Sequence, residues 1–593
     1  MTPATAGADD AVQTTRGRRA MAYDLVIRNG LVVDGTGGAP FEADVGIEDG
    51  RISAIGKGLA RGTEEIDGRD KLVTPGFVDI HTHYDGQAVW SDRLAPSSSH
   101  GVTTAVGGNC GVGFAPCRPE HRDLLVSVME GVEDIPEVVM TEGLTWDWET
   151  YPEYLDVIER RPRDIDFASQ IPHSAVRVYA MGERGANREP ATPEDLERMQ
   201  AIVREAIDAG ALGFATSRLV IHKTGQGDPI PTFMAAETEL EAMAMALKDA
   251  GRGVLQAVFG IPGRTFEDEI DLLARLGKIS GRPASFSMAQ SNQSPDAWKG
   301  AMRRLAEANV AGPPIRAQVY PRPIGIVLGW DLSINPFSLC PSYQPLAKLP
   351  FAERIAALRD PQVRARLLME EPADALIPLS RFGRSYDFMW PLTDPPNYEP
   401  KAEDSIAAVA ARGNMSPGEI AYDLLLENEG RGLLLVALAN YGDRSLDPIH
   451  TLITDPNAVL GLGDGGAHYG MICDSSYPTF VLQHWTRERT GERLSIERAI
   501  KALAADPART VGLMDRGVLS VGRKADVNVI DHDAVRLAPP SVLYDLPAGG
   551  RRLTQTARGY DAMVVAGQIV SRGGEPTGAL PGRLVRGPQA APA

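Results

Sequence analysis

Residues 74–85 read TPGFVDIHTHYD. A Pro-Gly breaker opens a short apolar, partly β-branched run, and that run ends on His81-x-His83. The pattern is that of a strand. Side chains alternate faces along a strand, so His81 and His83 point the same way, about 6 to 7 Å apart. Two imidazoles on one face can share a metal ion. They can also simply line a core, and the rest of the chain bears on which.

The chain has 593 residues, 43% hydrophobic and 23% charged, enough for a large core. A net charge of −18 without a basic cluster argues against nucleic acid and anionic membrane as partners. Cys110, Cys117, Cys340 and Cys473 are too few for a disulfide framework and fit a reducing cytoplasm. No run of roughly 18 apolar residues suggests a transmembrane helix. Residues 1–20 read as a disordered tail.

Outward from the His-x-His strand, the ends of the chain look alike. YDLVIRNGLVVDGTG reads as a hairpin turning at Asn29-Gly30, and ADVGIEDGRISAIGKG as one turning at Asp49-Gly50. RGVLSVGRKADVNVIDHD and YDAMVVAGQIVSRGG repeat the style near the C-terminus. Residues 21–74 and 512–575 are expected to pair into one small β-sandwich domain, with 576–593 as a tail.

Residues 75–511 alternate strand and helix. Helices are predicted after Thr192-Pro193 (ending at Gly210), Thr265, Ser416 (a capping box with Glu419) and Ser495. Candidate strands lie near 76–83, 102–107, 166–171, 211–216, 253–258, 284–288, 315–320, 433–439 and 459–463. The fold class predicted is α/β, a TIM-like (β/α)8 barrel. Nine candidates compete for eight places, so one is wrong or an addition. The Pro-rich segment of about 322–430 reads as an insertion near the C-terminal strands.

In such a barrel, catalysis sits at the C-terminal ends of the strands. His81 and His83 end the first. GVTTAVGGNCGVGFAPC sets Cys110 just past the second, and NAVLGLGDGGAHYG sets Asp464 just past the last. Thiolate, imidazole and carboxylate together suit zinc. Each is weaker alone: a lone Cys is usually a small core residue, and an Asp before two glycines can make an Asx-turn.

PGFVDIHTH, the GNCG of 108–111 and the late Asp464 resemble the amidohydrolase superfamily, in particular its D-aminoacylase or N-acyl-D-amino-acid deacylase branch. The resemblance runs from about Tyr23 to Arg586. It implies a barrel with a small β domain and metal-dependent hydrolysis of an amide C–N bond. It implies that Cys110 stands where other branches carry a carbamylated lysine, and that Asp464 is metal ligand and general base. The branch also carries histidines after the fifth and sixth strands. Here those segments read GVLQAVFG and ASFSMAQSN; Val258 and Met288 are not credible zinc ligands and Gln256 is a poor one. One zinc is therefore expected, at His81, His83 and Asp464 with Cys110 as fourth donor.

The branch's carboxylate-binding lysine is replaced by Gln290, and no arginine follows Asp464 closely. Arg381 or Arg384 in the insertion could substitute. His173 and Arg177 match a GHxxxR stretch of the branch, and Tyr320 matches a branch tyrosine that could polarise a carbonyl. His468 is a candidate for orienting the metal shell, and His222 for a replacement ligand. Trp330, Phe382, Tyr386 and Trp390 could line an apolar pocket or pack the insertion. Other expectations are a small-molecule amide substrate, with a homo-oligomer left open. The alternatives are hydrolysis of a cyclic amide, lactone or carbamate, and a non-catalytic binding or assembly relative.

Overall fold

The computed structural model describes residues 23–372 and 382–592. The expected disordered tail of residues 1–20 and Arg381 lie outside these.

The central frame is parallel. One three-stranded sheet runs Phe77–Asp79, Val102–Gly107, Asp166–Ser169. A six-stranded sheet continues in the order Ile171–Pro172, Gly213–Ser217, Val254–Val258, Ala284–Met288, Ile315–Val319, Ala458–Leu460. Only Gln170 separates Ser169 from Ile171, so the third strand of the frame belongs to both sheets. Past the first strand, His83 N–H donates to Gly465 O at 2.7 Å and Asp464 N–H to His81 O at 3.0 Å. These bonds tie the first strand's extension to the segment after the last strand. Val102–Gly107 and Val254–Val258 are buried throughout, as expected of parallel strands covered on both faces.

The helices start where side chains can satisfy free N–H groups. Thr192, Thr265 and Ser416 each cap a helix in a reciprocal box with Asp195, Asp268 and Glu419. Ser495 is also an N-cap position, without a side-chain bond. Gly210 ends its helix with φ 117°, a conformation suited to glycine.

The candidate near 433–439 is the addition. Leu434–Ala439 forms, but it pairs antiparallel with Ile324–Leu328 and Met389–Pro391 in a separate three-stranded sheet. The segment of about 322–430 supplies most of that sheet and has its own core. Trp330 is fully buried there against Phe337, Tyr343 and Tyr422. Phe382 and Tyr386 pack on the same cluster, and Trp390 packs on Tyr441. Trp330, Phe382 and Tyr386 hold the insertion together, and Trp390 packs it onto the main core.

Strands from both chain ends share one nine-stranded sheet. Its core is made almost wholly of its own side chains, including Leu25, Ile27, Val45, Val527, Val529 and Val564. Asp49-Gly50 is the expected tight turn, both residues at positive φ. Asn29-Gly30 is not a turn: Tyr23–Val32 runs through it as one strand, with a bulge between Ile27 and Gly30. A Cβ on Gly30 would stand 2.2 Å from Val73, so this glycine serves close packing. Residues 581–585 lie along the third strand, with Leu584 and Val585 buried. No helix among the described residues is long and apolar enough to cross a membrane.

A buried ion-pair knot locks the C-terminal segments to the frame. Asp166 Oδ2 accepts from Arg516 Nη1 at 2.6 Å and pairs with Lys524 Nζ at 3.0 Å, while Oδ1 accepts from Arg583 N–H. Burial opposes the ionised form, but Lys524 and Arg516 prevail and lower Asp166 to about 2. Asp166→Asn is expected to cost about 3 kcal/mol by leaving buried cations undercompensated. A carboxyl with a depressed folded pKa stabilises above its unfolded value, near 3.9, and loses that contribution as pH falls toward the folded value. The gap in urea stability between wild type and variant should therefore be full at pH 7 and shrink between about pH 4 and 2.

Candidate metal centre and active site

Three loops at the C-terminal ends of parallel strands build the centre. His81 and His83 extend the first strand, each about 1% exposed. Cys110 follows the second, in a turn that glycines make possible. Gly108 has φ 74°, and a Cβ there would lie 1.9 Å from Gln170 O. Gly111 has φ 63° and passes against Thr216. Between them Asn109 donates to Thr82 O and Val106 O and accepts from Gln170 Nε2. Cys110 is itself held at φ 55°, a costly conformation for a non-glycine residue that often marks a functional turn. Asp464, after the last strand, sits at φ 47°.

The donor atoms converge. Among the described residues, His81, His83 and Cys110 form a cluster whose ligand atoms all lie within 4.8 Å of one another. Cys110 Sγ is 3.4 Å from His81 Nε2. Asp464 Oδ1 is 3.6 Å from His81 Nε2 and 3.7 Å from His83 Nε2. Two imidazole nitrogens and a thiol thus converge, with a carboxylate beside the imidazoles, a set of donor types that fits zinc. Asp464, with 22% of its side chain exposed, is the member open to an incoming molecule.

Electrostatics set the protonation of these groups. Burial lowers His81 to about 4, leaving it neutral and able to donate a lone pair. Burial raises the Cys110 thiol to about 12, with His83 opposing. For Asp464 burial favours the neutral acid, but the His83 hydrogen bond and the two imidazoles win and hold it far below the usual carboxylate range.

The structure disposes of the other sequence candidates variously. His222 is hydrogen-bonded through Nδ1 to Ser217 Oγ at 2.8 Å and lies within electrostatic reach of His81, His83, Asp464 and His468. Burial lowers it to about 3, so it is neutral. His468, also near Asp464, has Nε2 3.4 Å from Glu133. His173 and Arg177 are both taken up by Glu239 in a buried pairing behind the fourth strand. The Tyr320 hydroxyl donates to Asp474 O at 3.0 Å and is fully buried, so it is satisfied and not turned to a substrate. Gln290 bonds Asp443 and Pro295 O through Nε2. Arg384 is spent on Glu371, Glu370 O and Pro336 O inside the insertion.

Among the described residues, the fifth and sixth strands place no side chain in the donor cluster. Gln256 Oε1 accepts from the Cys110 backbone N–H at 3.2 Å, steadying the cysteine turn, and Met288 is core. Two relevant residues escape sequence reasoning. Gln318, in the seventh strand, faces His81: Oε1 is 2.6 Å from Nδ1. Glu133, the last residue of helix Arg122–Glu133, puts Oε1 3.3 Å from His83 Nδ1. A polar residue between the apolar Ala317 and Val319, at the buried end of its strand, was a signal for Gln318. Glu133 had only the weak signal of an acid at a helix C-terminus, where the dipole disfavours it.

Donors of this kind, gathered where parallel strands end, form a candidate metal site. The chain belongs to the amidohydrolase family, whose profile matches residues 64–571. It is a hydrolase acting on carbon–nitrogen bonds other than peptide bonds. An N-acyl-D-glutamate deacylase of Alcaligenes xylosoxydans xylosoxydans is 27% identical, over 95% of this chain and 96% of its own length. An uncharacterized protein of Mycobacterium tuberculosis is 28% identical over 94% and 93%. Among solved structures, D-aminoacylase superposes with a TM-score of 0.63 at 21% identity, covering 95% of this chain and 100% of its own. N-acyl-D-glutamate deacylase from Bordetella bronchiseptica, complexed with zinc and a phosphonate mimic of the tetrahedral intermediate, gives 0.63 at 23% identity, covering 95% and 99%. The fold is shared with both.

Proposed function

We propose that this chain hydrolyses the amide bond of an N-acyl amino acid or a related small amide, with one zinc held by His81, His83, Cys110 and Asp464. The convergence of His81, His83 and Cys110, with Asp464 Oδ1 beside both imidazoles, carries the reading. The parallel strands are read as a closed eight-stranded barrel, its first and last strands joined through Thr82 and Gly465, with residues 21–74 and 512–575 as a separate β domain.

Zinc at this point supplies Lewis acidity toward a carbonyl and a water. The protein's own residues do the rest. His81 and His83, whose Nδ1 atoms face Gln318 and Glu133, would hold the ion through Nε2. Asp464, ionised and partly open, takes the proton of the attacking water and returns it to the amide nitrogen as the C–N bond breaks. The buried walls around His81, His83 and Cys110 keep other water away.

The class of substrate is taken from the deacylase relatives. The side group is narrowed by what the site offers: Gln290 and Arg384 are engaged elsewhere, so neither stands free to clamp a carboxylate.

Metal content per chain, by elemental mass spectrometry on protein purified without chelator, tests the reading. About one zinc is expected. About two would bring His222 into a second site, and none after incubation with zinc would overturn a metal-dependent mechanism.

A further inference from the structure

Glu133 is an acid in a costly place. Its side chain is 1% exposed, and among the described residues neither carboxyl oxygen has a well-aligned hydrogen bond. Its near polar neighbours are His83 Nδ1 at 3.3 Å from Oε1 and His468 Nε2 at 3.4 Å from Oε2. A carboxylate is buried this way only if something repays its lost hydration. The fold goes to some length to keep it there. The Glu133 carbonyl accepts from His468 N–H. Asp134, at φ 49°, ends the helix and accepts from Gly470 N–H at 3.1 Å and Ser333 Oγ–H at 3.2 Å. The helix end is thereby pinned to the loop carrying Asp464 and to the insertion.

The two histidines meet different partners behind: His81 Nδ1 is hydrogen-bonded, and His83 Nδ1 makes a 3.3 Å ion-pair contact. His81 has the neutral amide of Gln318, itself fixed by donating to Ser285 Oγ at 2.9 Å. His83 has a carboxylate. An acceptor behind Nδ1 holds the proton there and aims the Nε2 lone pair forward, and a charged acceptor also makes the imidazole a stronger donor.

We propose that Glu133 is a positioning residue of the metal centre, fixing the tautomer and orientation of His83 and strengthening its hold on the ion. This rests on the metal-dependent reading above. It makes the centre uneven: His83 is the tighter imidazole ligand and His81 the looser. Glu133 is outside the donor cluster and need not touch substrate.

The test measures zinc affinity by competition with a chromophoric chelator, for wild type, Glu133→Gln and Glu239→Gln. The last removes another buried carboxylate paired to a histidine, one that pairs with His173 and Arg177 and, among the described residues, with none of the four donors. Glu133→Gln is expected to weaken zinc binding about 10- to 100-fold and to alter the visible spectrum of the cobalt-loaded protein. Glu239→Gln should change neither. Zinc affinity within about twofold of wild type and an unaltered cobalt spectrum in Glu133→Gln would overturn the role. Should that variant fail to fold, a crystal structure of zinc-loaded wild type decides. Glu133 within hydrogen-bond distance of His83 Nδ1, with zinc on Nε2, supports the assignment; zinc on Nδ1, or Glu133 turned away, refutes it. Wild type that binds no zinc would instead bring down the metal reading itself.

Discussion

Asp464→Asn is expected to keep the fold and lose about three orders of magnitude in turnover. The substitution isolates the chemistry unusually well. Asp464 sits at φ 47°, where asparagine is among the few residues at ease, so the backbone should not move. The amide has nearly the carboxylate's shape and keeps an oxygen toward His81 and His83. It carries no charge and cannot accept a proton from water. It is also a weaker ligand for zinc, so zinc content must be measured with turnover. Full zinc with lost turnover assigns proton transfer to Asp464. Lost zinc with lost turnover assigns ligation and leaves the base open. Turnover near wild type, with any small N-acyl amino acid that serves as substrate, would remove Asp464 from the mechanism.

What the sequence makes legible here is what is local and periodic. His81 and His83 are separated by one strand repeat, so their common face follows from the strand itself. Cys110 is marked by the glycines that flank it, since a turn this tight needs them. Asp464 is marked by the apolar strand it follows. The parts that stayed hidden depend on tertiary neighbours. Leu434–Ala439 is as apolar as the parallel strands, and apolarity does not say which sheet a strand joins. Asn29-Gly30 has the residues of a hairpin turn, yet its neighbours Val73 and Ala43 lie on strands beside it, and the chain runs on through it as a bulged strand. His173, Arg177 and Tyr320 occupy places where a ligand could be met, but buried Glu239 and the Asp474 carbonyl claim them first. Glu133 is the opposite case. In the run MEGVED it looks like one more solvated acid, and only the packing of its helix against the first-strand loop brings it to His83.

His81→Ala should remove the metal. Three donors remain after the substitution, His83, Cys110 and Asp464, but the cluster loses the nitrogen that stands 3.4 Å from the cysteine sulfur. That contact matters because burial holds the Cys110 thiol up at about 12, so the sulfur becomes a good ligand only when an ion is already well held. Losing His81 therefore weakens two ligands at once. Zinc per chain is expected to fall from about one to below about a tenth after dialysis, and turnover to fall with it. The variant also empties a buried site and leaves Gln318 Oε1 without its partner, a cost of about 2–3 kcal/mol that a protein of this size should tolerate. Thermal melts without added metal separate the two effects: a folded, metal-poor protein is the expected product. If His81→Ala instead retained its zinc, the ion would have to rest on side chains outside the expected set, with His222 and His468 the nearest imidazoles. The general-base role of Asp464 would then need to be rebuilt around that different geometry.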